Sequence, residues 1–163
     1  MKSGKIRIIG GRWKGKKISY NLDTTLRPTP DRAKEMIFNW LGQDLNNLNC
    51  LDLFSGTGAM GLECLSRGAK KVHFVEKNKN FYKNLRQNLY SLKMEQKIKV
   101  FNEDCLIWLK NPNQEEKYDV VFVDPPFSKG LAEKVFLLLR KNDYLKKESL
   151  IYLETEKNLN IDF

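Results

Sequence analysis

Apolar residues follow two rhythms along this chain. Short, largely unbroken runs stand at Asn49–Leu53 (NCLDL), Val72–Glu76 (VHFVE), Ile98–Phe101, Tyr118–Asp124 and Leu150–Glu154. Runs of this length, with little alternation and many β-branched or aromatic residues, predict strands buried on both faces of a parallel sheet. Between them the apolar positions fall three and four apart. Ala33, Met36, Ile37, Trp40 and Leu41 form one such stripe, and Phe81, Leu85, Leu89 and Leu92 another. Leu106, Ile107 and Leu109 mark a short helix, and Leu131–Arg140 a longer one. Each stripe predicts an amphipathic helix with its apolar face in the core. A further helix follows Gly58 and runs to about Arg67, where Gly68 stops it. Strand and helix alternate, so the fold class is α/β, with a doubly wound, mainly parallel sheet.

Punctuation residues sharpen the boundaries. Thr29-Pro30 opens the first helix, with Thr29 as N-cap and Pro30 at the first helical position, and Gly42 ends it. Asn111-Pro112-Asn113 reads as a surface loop. Ahead of the α/β pattern, residues 5–20 predict two short strands around Gly10-Gly11 and Gly15. Ile6, Ile8, Ile18 and Tyr20 face one side there, and basic residues the other. No internal repeat or low-complexity linker divides the sequence. Residues 1–163 are expected to form one domain, with 1–28 as a hairpin extension and 29–163 as the core.

Charge changes this picture. The chain of 163 residues has a net charge of +9, and residues 1–35 alone carry ten Lys/Arg against three acids. A basic head on a nearly neutral body predicts a polyanion as partner. Arg7, Arg12, Lys14, Lys16, Lys17 and Arg27 are the candidate phosphate contacts. No apolar run approaches the length of a membrane span, and the N-terminus lacks the apolar stretch of a secretory signal. Cys50, Cys64 and Cys105 are scattered, and His73 is the only histidine. That argues against a disulfide framework and a structural zinc site, and it points to a reduced, cytoplasmic setting.

Two stretches carry candidate chemistry. Asp52-Leu53-Phe54-Ser55-Gly56-Thr57-Gly58-Ala59-Met60-Gly61 leads from a strand into a helix, and Glu76 ends the next strand. The glycine spacing satisfies a dinucleotide fingerprint in its letters. S-adenosylmethionine competes as the ligand. For that cofactor the glycines admit the methionine and ribose, Asp52 holds the ammonium and Glu76 takes the ribose hydroxyls. A carboxylate at Asp52 would repel pyrophosphate, and the chain is short for a dinucleotide half plus a substrate domain, so the sulfonium cofactor is favoured. Asp104, just past the third strand, is a candidate for the adenine amine and also for a helix N-cap.

The second stretch is Asp124-Pro125-Pro126-Phe127, which ends the fourth strand. It resembles the amine-methylating motif of S-adenosylmethionine-dependent methyltransferases. An exocyclic amine on a base is a poor nucleophile because its lone pair is delocalised into the ring. The Asp124 carboxylate and the Pro125 carbonyl can hold both N–H groups, the prolines make the turn stiff, and Phe127 can stack on the base.

The chain as a whole resembles the RsmD-type methyltransferases, which methylate the N2 amine of a guanine in small-subunit (16S) ribosomal RNA. The resemblance is carried by Arg7-Ile8-Ile9-Gly10-Gly11 with Lys14-Gly15-Lys16, by Arg27-Pro28-Thr29-Pro30-Asp31-Arg32-Ala33-Lys34-Glu35, by Asp52–Gly58, by Glu76 and by Asp124–Phe127. It implies a Rossmann-like class I methyltransferase, with Thr29 and its neighbours closing over the cofactor, Asp124 and Phe127 holding the base, and the hairpin gripping RNA phosphates. It implies a monomer without metal, acting on the RNA or on the assembling small subunit. The family's fold continues past the fifth strand into a hairpin, so shortened C-terminal strands are expected here. Two other readings stand beside this one: a DNA adenine-N6 methyltransferase, and a non-catalytic RNA-binding or assembly protein derived from the fold.

Overall fold

The computed structural model describes residues 3–21, 28–93, 95–111, 116–126 and 130–154. Among the described residues seven strands and five α-helices follow one another as β1 (Ser3–Arg7), β2 (Lys17–Asn21), α1 (Asp31–Leu41), β3 (Asn49–Asp52), α2 (Ala59–Ser66), β4 (Lys71–Val75), α3 (Lys79–Ser91), β5 (Ile98–Phe101), α4 (Cys105–Lys110), β6 (Tyr118–Val123), α5 (Leu131–Lys141) and β7 (Leu145–Leu153). Strands β3 to β7 form one sheet in the order β5-β4-β3-β6-β7, with every neighbouring pair parallel. The order reverses between β3 and β6, and the crevice beyond their carboxyl ends is where sheets of this kind take ligands.

The unbroken apolar runs are explained by two cores, one on each face of the sheet. Cys50, Val72, Phe74, Val120 and Phe122 point into the first, with α1, α2, α3 and the β1–β2 hairpin. Their sequence neighbours Leu51, Val75, Val121 and Val123 point into the second, with α4 and α5. Each fully buried side chain contributes about 1.5–3 kcal/mol, so a polar residue at either parity would be costly. His73 is a polar exception on β4. Its Nδ1 lies 2.6 Å from the Tyr118 hydroxyl, and burial brings its pKa down to about 4, so the ring is neutral at pH 7.

Three expectations need correction. Thr29 does not cap α1: the N-cap is Pro30, and Asp31 is the first helical residue. The apolar stripe of α1 is also rotated. Lys34, Ile37 and Phe38 are buried, while Met36 is 46% and Trp40 72% exposed. The reason is electrostatic, because Lys34 finds buried partners described below. Finally, the fifth strand of the sheet begins earlier than Leu150. Leu145 pairs with Tyr118, the register slips, and Leu150 then pairs with Val120. Ser149 Oγ bonds the Tyr118 carbonyl at 2.6 Å across this irregularity.

The hairpin is antiparallel, with Arg7 opposite Lys17, and it buries Ile6, Ile8, Ile18 and Tyr20 in the first core. Gly10 and Gly11 serve it as a docking point against the end of α2. A Cβ at Gly11 (φ +70°) would stand 1.9 Å from the Ser66 carbonyl oxygen, a contact only glycine permits. Ser66 Oγ donates to the Gly10 carbonyl at 2.5 Å and accepts from Trp13 N at 3.0 Å.

Candidate active site

The glycine loop begins where β3 ends. Ser55 Oγ donates to the Asp52 carbonyl at 2.8 Å and the Val75 carbonyl at 3.2 Å, so this hydroxyl ties the loop to β3 and β4. Phe54 packs on the second core, and Thr57 is buried. Gly56 (φ +50°) and Gly58 (φ +80°) take left-handed conformations that bend the chain into α2, whose N-cap is Gly58. A Cβ at Gly58 would lie 2.4 Å from Leu85 Cδ1, so a larger residue there would disturb the core before it met any ligand. Gly61 lets α2 lie close on the sheet, since its Cβ would come within 2.1 Å of Phe74 Cε1.

Acids gather at the strand ends around this loop. Asp52 is 4% exposed and accepts the Gly61 N–H at 3.2 Å. Burial pushes its carboxyl up to about 7, and the Asp124 and Glu76 charges add to the rise. Glu76 accepts Gly56 N at 2.7 Å through Oε2 and Asn78 N at 2.6 Å through Oε1. Each of its oxygens keeps a second lone pair for another donor. Burial raises its pKa as well. Asp104 caps α4 by accepting Leu106 N at 2.9 Å, and its ion pair with Lys77 at 3.0 Å holds its pKa down.

Asp124 follows the last residue of β6, and Pro125 and Pro126 come directly after it. Burial, together with the charge of the neighbouring Glu154 carboxyl, pushes the Asp124 carboxyl up to about 7. Asp52, Asp124 and Glu154 therefore sit at the carboxyl ends of neighbouring strands β3, β6 and β7. Phe127 and Arg27 lie outside the described residues. Thr29 is half-buried just ahead of α1. A groove of about 620 Å³ lies elsewhere, between α5 and β7, where Phe136, Arg140 and Leu145 help line it, and none of these site residues borders it.

The donor set fits S-adenosylmethionine. The cofactor carries a sulfonium and an ammonium, and the loop is ringed by the carboxyl groups of Asp52, Glu76 and Asp124. A pyrophosphate in the same place would face those acids, and the nearby Lys77 is already paired with Asp104.

Sequence reasoning gave Lys34, Glu63 and Arg67 no place in the core, and all three are buried. Lys34 Nζ lies 3.1 Å from Asp31 Oδ1 and 3.6 Å from Glu63 Oε1, and it also bonds the Arg7 carbonyl. Glu63 accepts Ile9 N at 2.7 Å, and Arg67 lies 3.5 Å from Glu63 and stacks over Phe38. Arg7 reaches Asp31 at 2.9 Å. This network fastens the hairpin to α1 and α2. Its signal was the helical phase of Lys34, which falls three, four and seven residues before Ile37, Phe38 and Leu41. Arg12, Lys14, Lys16 and Lys17 are exposed on the outer side of the hairpin.

The five-stranded parallel sheet, the glycine loop at its switch point and the acid-Pro-Pro turn define a Rossmann-like class I methyltransferase fold. Residues 6–162 match the family model described as "Conserved hypothetical protein 95". The chain belongs to this family, that of the RsmD-type methyltransferases. It is 46% identical over 156 residues to ribosomal RNA small subunit methyltransferase D of Haemophilus influenzae, covering 95% of this chain and 81% of that one. The Escherichia coli K12 protein of the same name is 42% identical, over 94% of this chain and 76% of its own length. A solved chain from Haemophilus influenzae superposes with a TM-score of 0.83 at 43% identity, covering 98% of this chain and 86% of that one.

Proposed function

We propose that this protein transfers a methyl group from S-adenosylmethionine to the exocyclic N2 amine of a guanine in small-subunit (16S) ribosomal RNA. The observation that carries the reading is the place of Asp124, on a proline-fixed turn at the carboxyl end of β6 beside the glycine loop. Relatives 38–46% identical to this chain are named as small-subunit ribosomal RNA methyltransferases, which favours RNA over DNA and catalysis over binding alone.

The bound cofactor would supply an electrophilic methyl group. Asp52, Phe54, Ser55, Gly56, Thr57, Gly58, Glu76 and Asp104 would shape its site, with Thr29 near the entrance. Asp124 and the Pro125 carbonyl would each accept one N–H of the amine and so free its lone pair. Pro126 keeps the turn rigid, and Phe127 would stack on the base. Asp124, once ionised, also favours the positive charge that develops on the amine. His73 and the three cysteines are buried in the cores and take no part in this scheme. The target base must leave its stack to reach the turn. Arg12, Lys14, Lys16, Lys17 and Arg27 would grip phosphates around it, with Arg7 partly committed to Asp31.

The hairpin and the α/β core would act as one catalytic unit, a monomer working in the cytoplasm on the RNA or the assembling subunit. Among the described residues no helix is long and apolar enough to cross a membrane. The test is transfer of labelled methyl groups to small ribosomal subunits that lack the modification, followed by digestion to nucleosides. N2-methylguanosine is expected. Label in methyladenosine, or no label with cofactor bound, would contradict the reading.

A further inference from the structure

The strand register brings a second carboxylate to the base-binding turn. Val121, Phe122 and Val123 on β6 pair in parallel with Ile151, Tyr152 and Leu153 on β7. The next residues, Asp124 and Glu154, therefore stand side by side. Glu154 N donates to the Val123 carbonyl at 2.9 Å, which carries the ladder one step further and fixes the Glu154 backbone. Side chains alternate along a strand, so Asp124 and Glu154 share the face of Phe122 and Tyr152. The rings of that pair lie 6.4 Å apart, and the Tyr152 hydroxyl reaches Glu154 Oε2 at 3.4 Å. The Glu154 carboxyl stands close enough to raise the Asp124 pKa.

We propose that Glu154 selects the base, accepting the N1–H of the target guanine while Asp124 accepts an N–H of the neighbouring N2 amine. The inference rests on the reading given under Proposed function. The chemistry of the base edges explains why two acceptors are needed. Guanine presents two adjacent donors, N1–H and N2–H. Adenine presents one donor, at N6, beside a lone pair at N1. A carboxylate facing that lone pair would be repelled and left without a partner. A site built to pair with a donor discriminates strongly against an analogue that lacks it. An enzyme that extrudes its base reads it along this same edge.

In the free protein burial and the neighbouring Glu154 carboxyl push Asp124 up to about 7. Asp124 accepts the guanine N–H most strongly once it is ionised. Guanine binding therefore favours the ionised Asp124, and the reaction weakens as pH falls through about 7. The groups that face the pair are Tyr152 on β7 and Asp52 at the end of β3. Asp52 titrates in the same range, so the change in the acid limb between parent and Glu154 variants reads the part that Asp124 contributes.

The experiment compares the parent with Glu154→Gln and Glu154→Asp on unmodified small ribosomal subunits with labelled S-adenosylmethionine. It reads kcat/KM against pH, the nucleoside products and cofactor affinity. Glu154→Gln is expected to lose about ten- to a hundredfold in kcat/KM above pH 8, as one charge-assisted bond is replaced by a neutral one. Its acid limb is expected to move to lower pH, because Asp124 no longer faces a like charge. Its ratio of methylguanosine to methyladenosine is expected to fall, since the amide can turn its N–H toward adenine N1. Glu154→Asp keeps the charge, so its acid limb is expected to stay near that of the parent while its rate falls. Cofactor affinity is expected within a few-fold in both.

If the parent makes N2-methylguanosine and Glu154→Gln matches it in rate, acid limb and product ratio, the inference is overturned and the proposed function stands. Activity lost together with cofactor affinity would show a structural role and also overturn it. A parent that methylates adenine, or nothing, overturns the proposed function and the inference with it.

Discussion

Lys34 on α1 and Glu63 on α2 face each other with 3.6 Å between Nζ and Oε1, and both side chains are 1% exposed. Burial raises the Glu63 pKa even with Lys34 and Arg67 beside it, so desolvation outweighs the attraction. Such a pair adds little net stability but is costly to break. Glu63→Leu takes the buried carboxylate from both Lys34 and Arg67 and is expected to cost about 3–5 kcal/mol in urea unfolding. Lys34→Met added to it is expected to recover part of that loss. A single variant as stable as the parent would contradict this account of how the hairpin is held.

The contact of Gly61 with Phe74 sets how closely α2 approaches the sheet. Gly61→Ala is expected to destabilise by about 1–3 kcal/mol through overpacking and to weaken cofactor binding by lifting the loop that α2 carries. Trimming the ring with Phe74→Leu in the same protein is expected to restore both. Calorimetric titration and thermal unfolding read the two effects, and an alanine variant indistinguishable from the parent would contradict the packing argument.

Asp52 gives a pH prediction with a definite sign. Its carboxyl is raised from 3.8 to about 7 in the folded protein. Between those values the folded state keeps a proton that the unfolded chain releases, so its contribution to stability is present at low pH and lost as pH rises toward 7. Asp52→Asn removes that dependence and keeps an oxygen for Gly61 N. The variant is therefore expected to gain stability relative to the parent as pH rises from about 4 to about 7, and to level off above that. His73, lowered to about 4, runs the opposite way and cancels in the difference. Urea unfolding across the range checks it, and a difference independent of pH would contradict the burial of this carboxyl.

The frame and the glycine loop were legible in the sequence because local signals and packing agree there. The gapless runs of β3, β4 and β6 reflect burial on both faces, and Gly56, Gly58 and Gly61 mark the turn into α2. What was not legible depends on partners distant in the chain. Lys34 occupies a core position because Glu63 meets it there, and its burial turns Met36 and Trp40 outward. The early start of β7 depends on the pairing of Leu145 with Tyr118. Glu154 reads as the end of a strand until the parallel register sets it beside Asp124. One signal was present all along, because β3 ends at an acid and β6 and β7 are each followed by one.

The outer side of the hairpin yields a salt prediction. Lys14, Lys16 and Lys17 are exposed, and the network that anchors the hairpin does not include them. Changing two of them to Ala is expected to make the dependence of RNA affinity on salt shallower by roughly 0.7–0.9 per lost phosphate contact. Stability and cofactor affinity are expected to stay unchanged. Arg7→Ala is expected to lower stability too, because Arg7 pairs with Asp31. Filter binding over a range of salt concentrations decides it, and parallel slopes would contradict phosphate contact by these lysines.

The central claim is that Asp124 holds the amine that is methylated. The most direct measurement is single-turnover methyl transfer to unmodified small subunits by the parent, Asp124→Asn and Asp124→Ala, with cofactor affinity read in the same proteins. Asp124→Ala is expected to slow transfer about a hundred- to a thousandfold, as loss of one preorganised transition-state contact does. Asp124→Asn is expected to fall between, because its amide oxygen accepts an N–H but carries no charge. Cofactor affinity is expected to change by no more than a few-fold. A folded, cofactor-bound Asp124→Ala protein that methylates guanine N2 at the parent rate would contradict the claim.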